Sequence, residues 1–255
     1  MIKSLKKFHV FLVSTFIFLI HLPFVFAKMK PHPQMVSNPS SISSESLRLG
    51  GELPNSLKKT SVYDSLKLNT IGLSKKAFDN ALKGFNQLLS MGKLENENII
   101  SIVDFSLPSS RKRLFVIDMK NFKVLFNTYV AHGRNSGKEF ANEFSNDPES
   151  FKSSLGFYVT GDTYNGSHGF SLHLEGEEKG INDNAYSRAI VMHSAPYVDE
   201  SVVKSQGFLG RSLGCPALPA KFYKPIIEKI KNGSCLFLYS PNDNYLSHSR
   251  LLQTS

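Results

Sequence analysis

Cysteine is scarce in this chain: of 255 residues only Cys215 and Cys235 are cysteines. A pair allows one bridge at most, so a disulfide-dense scaffold is excluded. No CxxC, HxH or HxxxH spacing occurs, so the sequence offers no compact set of metal ligands. There is no arginine-rich stripe, no nucleic-acid motif and no internal repeat. The basic excess therefore reads as solubility and a general attraction to anionic polymers or membrane surfaces. Acids are the rarer charge, 21 against 30 Lys and Arg, for a formal +9. Only one long apolar run exists, Phe8 to Phe26.

That run follows Lys3, Lys6 and Lys7 and ends in Val25-Phe26-Ala27, the layout of a secretory signal peptide over residues 1–27. The alternative is an uncleaved anchor, since the run approaches the roughly 17–25 residues that span a bilayer. His21 and Pro23 weaken its second half. No cysteine follows the cleavage site to carry a lipid, and membrane association is expected only through this segment if it stays uncleaved. Cleavage would remove three lysines and no acids, lowering the formal charge to +6. The expected location is outside the cytoplasm, in a periplasm or cell wall.

Residues 28–60 are rich in Ser, Pro, Asn and Lys and read as a polar linker. Ser74 is an N-cap, and Ala77, Phe78, Ala81, Leu82, Phe85, Leu88 and Leu89 recur at helical spacing until Gly92, giving a helical extension over 61–98. Strands are expected at Ile99–Phe105, Leu114–Asp118, Lys123–Val130, Gly156–Thr160, Phe170–Leu174, Ala189–His193 and Ser234–Tyr239. A helix is expected from Pro219 to Lys231. Residues 99–245 then form an α+β, predominantly β, domain, and the polar residues 246–255 read as a loose tail.

The chemistry concentrates at two points. Cys235 sits in an apolar strand and reads as a buried thiol, whereas Cys215 lies between Gly214 and Pro216 on a turn. A bridge between the two is the bland alternative, but a free thiol on a turn in an oxidising compartment suggests a nucleophile. His193 closes a strand, where a rigid element would hold it as the base that takes the thiol proton. Gly214 would let the backbone come close to a substrate, and the amides of Gly214 and Cys215 would face a developing oxyanion. The backbone carbonyl of Ser194 could orient the base. A metal site from His132, His168, His173, His193 and Cys215, or a purely structural His193, are the competing readings. His132 could line the cleft or be an ordinary sheet-end histidine, and Tyr158, Tyr164 and Tyr197 could line a groove or fill core and rim.

The run Ile190-Val191-Met192-His193-Ser194, followed by Gly210-Arg211-Ser212-Leu213-Gly214-Cys215-Pro216-Ala217, resembles the L,D-transpeptidase catalytic domain (YkuD-like). Within it the chain is most similar to the divergent murein L,D-transpeptidase branch, through Val130-Ala131-His132-Gly133, Ser136-Gly137, Phe144-Ser145-Asn146 and Ser153-Ser154-Leu155-Gly156. The likeness spans roughly residues 110–245. It implies a β-sandwich-like fold, peptidoglycan stem peptides as partner and no cofactor. Cys215 would attack the carbonyl between the L- and D-centres of a tetrapeptide stem. His193 would be the base, Ser194 its orienting carbonyl, Gly214 and Cys215 the oxyanion turn, and Ser212 the motif serine and a substrate contact. Two departures stand out. The family at large has an arginine two residues after the cysteine, where this chain has Ala217, leaving Arg211 and Arg188 as candidate substitutes. Ser194 stands where many members have glycine. A carboxypeptidase or a hydrolase of peptidoglycan–protein links would use the same dyad, and a wall-binding module that has lost turnover is the reading Ala217 motivates. The oligomeric state is left open.

Overall fold

The computed structural model describes residues 61–253. The signal segment and the 28–60 linker lie outside the described residues. No helix among those described is long and apolar enough to cross a membrane.

A four-residue helix, α1 (Val62–Ser65), leads into α2 (Lys75–Ser90). Ser74 caps α2 as expected, its Oγ accepting from the Ala77 amide at 3.1 Å. Ala77, Phe78, Ala81, Phe85 and Leu88 form its buried stripe. That stripe lies against β1 (Ile99–Asp104) and the last strand, β8 (Cys235–Tyr239).

Between them in sequence come β2 (Leu114–Asp118), β3 (Lys123–Thr128), β4 (Gly156–Gly166), β5 (Gly169–Gly176), β6 (Val191–Ser194), α3 (Glu200–Gln206), β7 (Ala217–Leu218) and α4 (Tyr223–Ile230). All eight strands join one sheet in the order β3-β2-β1-β8-β4-β5-β6-β7. The molecule is thus mostly β with a few helices, the expected class. The β1–β8 and β6–β7 ladders are parallel and the rest antiparallel. Every residue of β1, β2 and β8 is buried, which is why these strands read as largely apolar runs, broken only by Ser101, Asp104 and Asp118.

The core stripe of α2, the central strands and Ile226, Ile227 and Ile230 of α4 form one continuous apolar cluster. Two expectations shift. The tail is not loose. Asn242 caps α5 (Asp243–His248) through its Oδ1 and the Tyr245 amide, and α6 (Arg250–Gln253) packs on α2 with Leu251 and Leu252 buried. Its anchors are Tyr245 and Ser249, whose hydroxyls donate to the buried carboxylate of Glu178. The strand expected from Ala189 starts at Val191, because Ala189 takes φ +53 in the preceding turn.

The β4–β5 hairpin matters most for the site. Only Gly156–Val159 of β4 pairs with β8. The hairpin runs on to Gly166 and Gly169, past the edge of β8, while the middle of β5, Leu172 and His173, pairs with β6. Its tip, Ser167-His168, thereby reaches the end of β6.

Candidate functional site

The parallel β6–β7 ladder sets His193 beside Ala217 and Ser194 beside Leu218, so the turn carrying Cys215 lies alongside the strand carrying His193. Cys215 is half-buried and free, as is the fully buried Cys235. Its Sγ accepts from the Val191 amide at 3.5 Å and faces the Ala189 carbonyl at 3.7 Å. Burial pushes the thiol up, against the pull of the Val191 N–H and the positive charge of Arg188.

His193 is 4% exposed. Its Nδ1 lies 2.8 Å from the Ser194 carbonyl. A carbonyl only accepts, so Nδ1 carries the hydrogen and Nε2 of the neutral ring keeps a lone pair. Burial pulls the imidazole down, the Ser194 bond opposes that, and His168 adds to it. The ring of His168 stacks on that of His193 with centroids 4.4 Å apart and planes at 24°. Among the described residues no hydrogen bond joins the thiol to the imidazole.

The turn before Cys215 is built tightly. Ser212 Oγ donates to the Cys215 carbonyl at 2.7 Å and accepts from the Gly214 amide at 3.1 Å. The Gly214 amide is therefore taken, and of the two amides considered for an oxyanion only that of Cys215 remains. Gly214 serves the backbone instead: it holds φ +128, and a Cβ there would sit 2.9 Å from the Lys152 carbonyl. Ser212, proposed as a substrate contact, spends its hydroxyl inside the turn.

Beneath the turn lies a polar support. Ser153 Oγ donates to the Gly214 carbonyl and accepts from the Gly133 amide, each at 3.1 Å, while the Ser153 amide donates to Ser136 Oγ. Gly133 permits this: a Cβ on it would strike the Phe151 carbonyl at 2.5 Å. The Ser212 amide donates to the His132 carbonyl, and the Arg134 amide to the Ser212 carbonyl. Deeper still is Arg113, fully buried and stacked on Phe105, whose guanidinium donates to the Val130 and Leu107 carbonyls and to His132 Nδ1 at 2.7 Å. Arginine cannot accept, so His132 Nδ1 accepts and its Nε2–H donates to the Gly137 carbonyl. Burial first, and then Arg113, drive the His132 pKa down to about 3.

Neither candidate arginine reaches a carboxylate among the described residues. Arg188 gives Nη1 to the Ser145 carbonyl and Ser154 Oγ, and Nη2 to Ser150 Oγ and the Lys152 carbonyl. Arg211 is exposed and gives Nη1 to the Arg134 and Gly137 carbonyls. The histidines have separate partners: His132 with Arg113, His173 with Asp162 at 2.7 Å and stacked on Tyr164, and His168 with His193. Among the described residues no three His, Cys, Asp or Glu side chains could hold a metal ion. Tyr158 is core, Tyr164 is exposed on the hairpin, and Tyr197 packs against Gly210. Sequence reasoning gave His168 no role beyond a scattered metal set and missed Arg113 altogether. The glycines flanking the 167–168 tip were the one signal that could have exposed His168.

The sequence profile of the L,D-transpeptidase catalytic domain matches residues 69–239. A search of curated proteins gave no match. Similar solved structures include an L,D-transpeptidase from Mycobacterium smegmatis (TM-score 0.35, 13% identity, covering 56% of this chain and 59% of that one). Another is L,D-transpeptidase 3 from Mycobacterium tuberculosis (TM-score 0.36, 12% identity, 56% and 61%). A third is the helical cell shape determining protein Pgp2 from Campylobacter jejuni (TM-score 0.38, 13% identity, 67% and 58%). The chain spans about three fifths of the length of these proteins. Likeness at this level carries no functional argument.

Proposed function

Because the chain belongs to the L,D-transpeptidase catalytic domain family, we propose that it is an exported cysteine acyltransferase acting on peptidoglycan stem peptides. The observation that carries the reading is the tautomer of His193. Its Nδ1–H is fixed on Ser194 O, which leaves Nε2 as a proton acceptor on the strand beside the Cys215 turn.

In this reading His193 Nε2 takes the Cys215 proton. The sulfur attacks the carbonyl between the L- and D-centres of a tetrapeptide stem. The oxyanion forms against the Cys215 amide. Collapse of the tetrahedral intermediate breaks the amide bond, and His193 returns the proton to the departing D-Ala amine. The product is a thioester acyl-enzyme. A second stem's amine then attacks the thioester, His193 again moves the proton, and the thiol is released with a 3–3 cross-link formed. Water in place of that amine gives carboxypeptidase activity. The raised thiol is consistent with a resting neutral pair whose hydrogen bond forms only once substrate is seated.

The full chain incubated with muropeptide tetrapeptides is expected to release D-Ala, followed by mass spectrometry, and Cys215→Ala to release none. A carbapenem is expected to label Cys215 covalently. D-Ala release that is absent, or that persists undiminished in Cys215→Ala, refutes the proposal. Ala217, in place of the family arginine, favours a second reading, a wall-binding module without turnover. Sacculus binding that survives Cys215→Ala, with no covalent adduct in the unmodified chain, would establish that reading instead.

A further inference from the structure

His193 closes a strand near the sheet edge, yet its ring is almost fully withdrawn from water. One face of the ring is covered by the β4–β5 hairpin. Gly166 and Gly169 bracket a two-residue tip, and Gly169 holds φ +76, so the chain reverses with Ser167-His168 at its apex. His168 is itself exposed. One face of its imidazole lies on that of His193 at 4.4 Å and 24°, which is stacking rather than an edge contact.

Two imidazoles stacked in this way are coupled. A positive charge on His168 makes a proton on His193 harder to add, because the two charges would then stand on rings 4.4 Å apart. The remaining groups around His193 do not offset this. Its own strand offers the Ser194 carbonyl to Nδ1. From β7, Ala217 and Leu218 lie beside it and carry no charge. From β5, Leu172 and His173 pair with Met192 and Val191, and His173 is engaged by Asp162. The Cys215 thiol sits on the loop before β7, at the Val191 amide of the same strand as His193. No carboxylate bonds to the His193 ring among the described residues.

We propose that His168 is a positioning residue for the base: it roofs the His193 imidazole, keeps water from that face, and opposes a positive charge on the ring beneath it. The proposal rests on His193 being the base. Its consequence is that the base stays neutral, and so able to take the thiol proton, at lower pH than an uncovered imidazole would.

The test is a proton NMR titration of His193 Cε1–H in the full chain, in the unmodified protein, in His168→Phe and in His168→Ala. Phenylalanine keeps the roof and removes the charge; alanine removes both. The His193 midpoint is expected to rise in His168→Phe by about half a unit to one unit, the size of a charge–charge term at this spacing near water. It should rise further in His168→Ala. The acid limb of Cys215 alkylation by iodoacetamide should move to higher pH in the same order, since the pair must lose one proton before a thiolate can form. A midpoint unmoved in His168→Phe refutes the charge coupling, and one unmoved in His168→Ala refutes the roof; either overturns the proposal. Because His168 is exposed at a hairpin tip, both variants should keep the unmodified unfolding midpoint, which checks that the fold is intact. Neither readout uses peptidoglycan. A chain inactive on muropeptides would therefore sink the proposed function alone, and unmoved midpoints in an active chain would sink this inference alone.

Discussion

Substituting His132 by Gln should flatten the dependence of stability on pH below neutrality. His132 is fully buried, and its neutral ring is required by its partners: Nδ1 accepts from Arg113 while Nε2–H donates to Gly137 O. The folded pKa is pushed down to about 3, from the ordinary 6.5. A group whose pKa is depressed by folding contributes stability that is complete above its unfolded value and is lost as pH falls toward the folded one. The window here is therefore pH 6.5 down to 3. At pH 5 the unfolded chain has taken up the proton and the folded chain has not, over one and a half units, which amounts to about 2 kcal/mol. Glutamine can accept from Arg113 through its carbonyl and donate to Gly137 O through its amide, and it binds no proton. Urea unfolding of both proteins at pH 7.5 and pH 5 reads the effect. The unmodified chain should lose about 2 kcal/mol more than His132→Gln between the two conditions. The other perturbed groups, His193 downward and Glu178 upward, are shared by both proteins and cancel. An equal loss in both would refute the assignment of His132 as a buried neutral acceptor.

Two further outcomes follow from the packing. Gly214→Ala should cost about 1–3 kcal/mol in backbone strain alone. The added Cβ at 2.9 Å from the Lys152 carbonyl should also shift the turn, so alkylation of Cys215 by iodoacetamide should slow; an unchanged rate at unchanged stability would refute the fit. Leu252→Ala should lower stability by about 2–3 kcal/mol in urea unfolding, because this side chain is buried on the core. A loss below about 0.5 kcal/mol would instead match a loose tail.

Legibility varied with how far each element's cause lies along the chain. Helix α2 could be read because its cap and its stripe are local: Ser74 precedes Ala77, Phe78, Ala81 and Phe85. Strands β1, β2 and β8 could be read because burial on both faces makes them predominantly apolar. Helix α3 buries none of its residues and β7 has two residues, so neither carries a period. The tail misled because its apolar residues are few and its main anchors are hydrogen bonds to Glu178, more than sixty residues away. At the site, the turn around Cys215 and the strand of His193 showed in sequence. Arg113 did not, because its partners are carbonyls and a histidine ring rather than a carboxylate. Several residues of the family-like motifs, His132, Gly133, Ser136 and Ser153, turn out to support the Gly214–Cys215 turn from below. Each fixes backbone that holds the turn carrying the Cys215 thiol.

Ala217 is fully buried in a small cluster with Ala131, Ala195, Val198 and Leu209, beside His193 in the ladder. No charge in that cluster would meet a guanidinium, so the position supplies packing and not carboxylate recognition. Arg188 gives both terminal nitrogens to the 145–154 segment, two bonds from each, and holds the loop whose Lys152 carbonyl crowds Gly214. Turning it toward a substrate would leave those acceptors without donors, at about 1–3 kcal/mol for each buried one. Arg211 commits only Nη1, to two carbonyls, and its side chain is exposed. If a guanidinium of this chain holds the stem carboxylate, donor capacity favours Arg211. Under the proposed function, Arg211→Met should raise KM for a tetrapeptide stem by about tenfold with kcat little changed, the signature of lost ground-state binding. Arg188→Met should instead lower the urea midpoint and slow Cys215 alkylation. A KM that does not move in Arg211→Met would rule out Arg211 as the holder of the stem carboxylate.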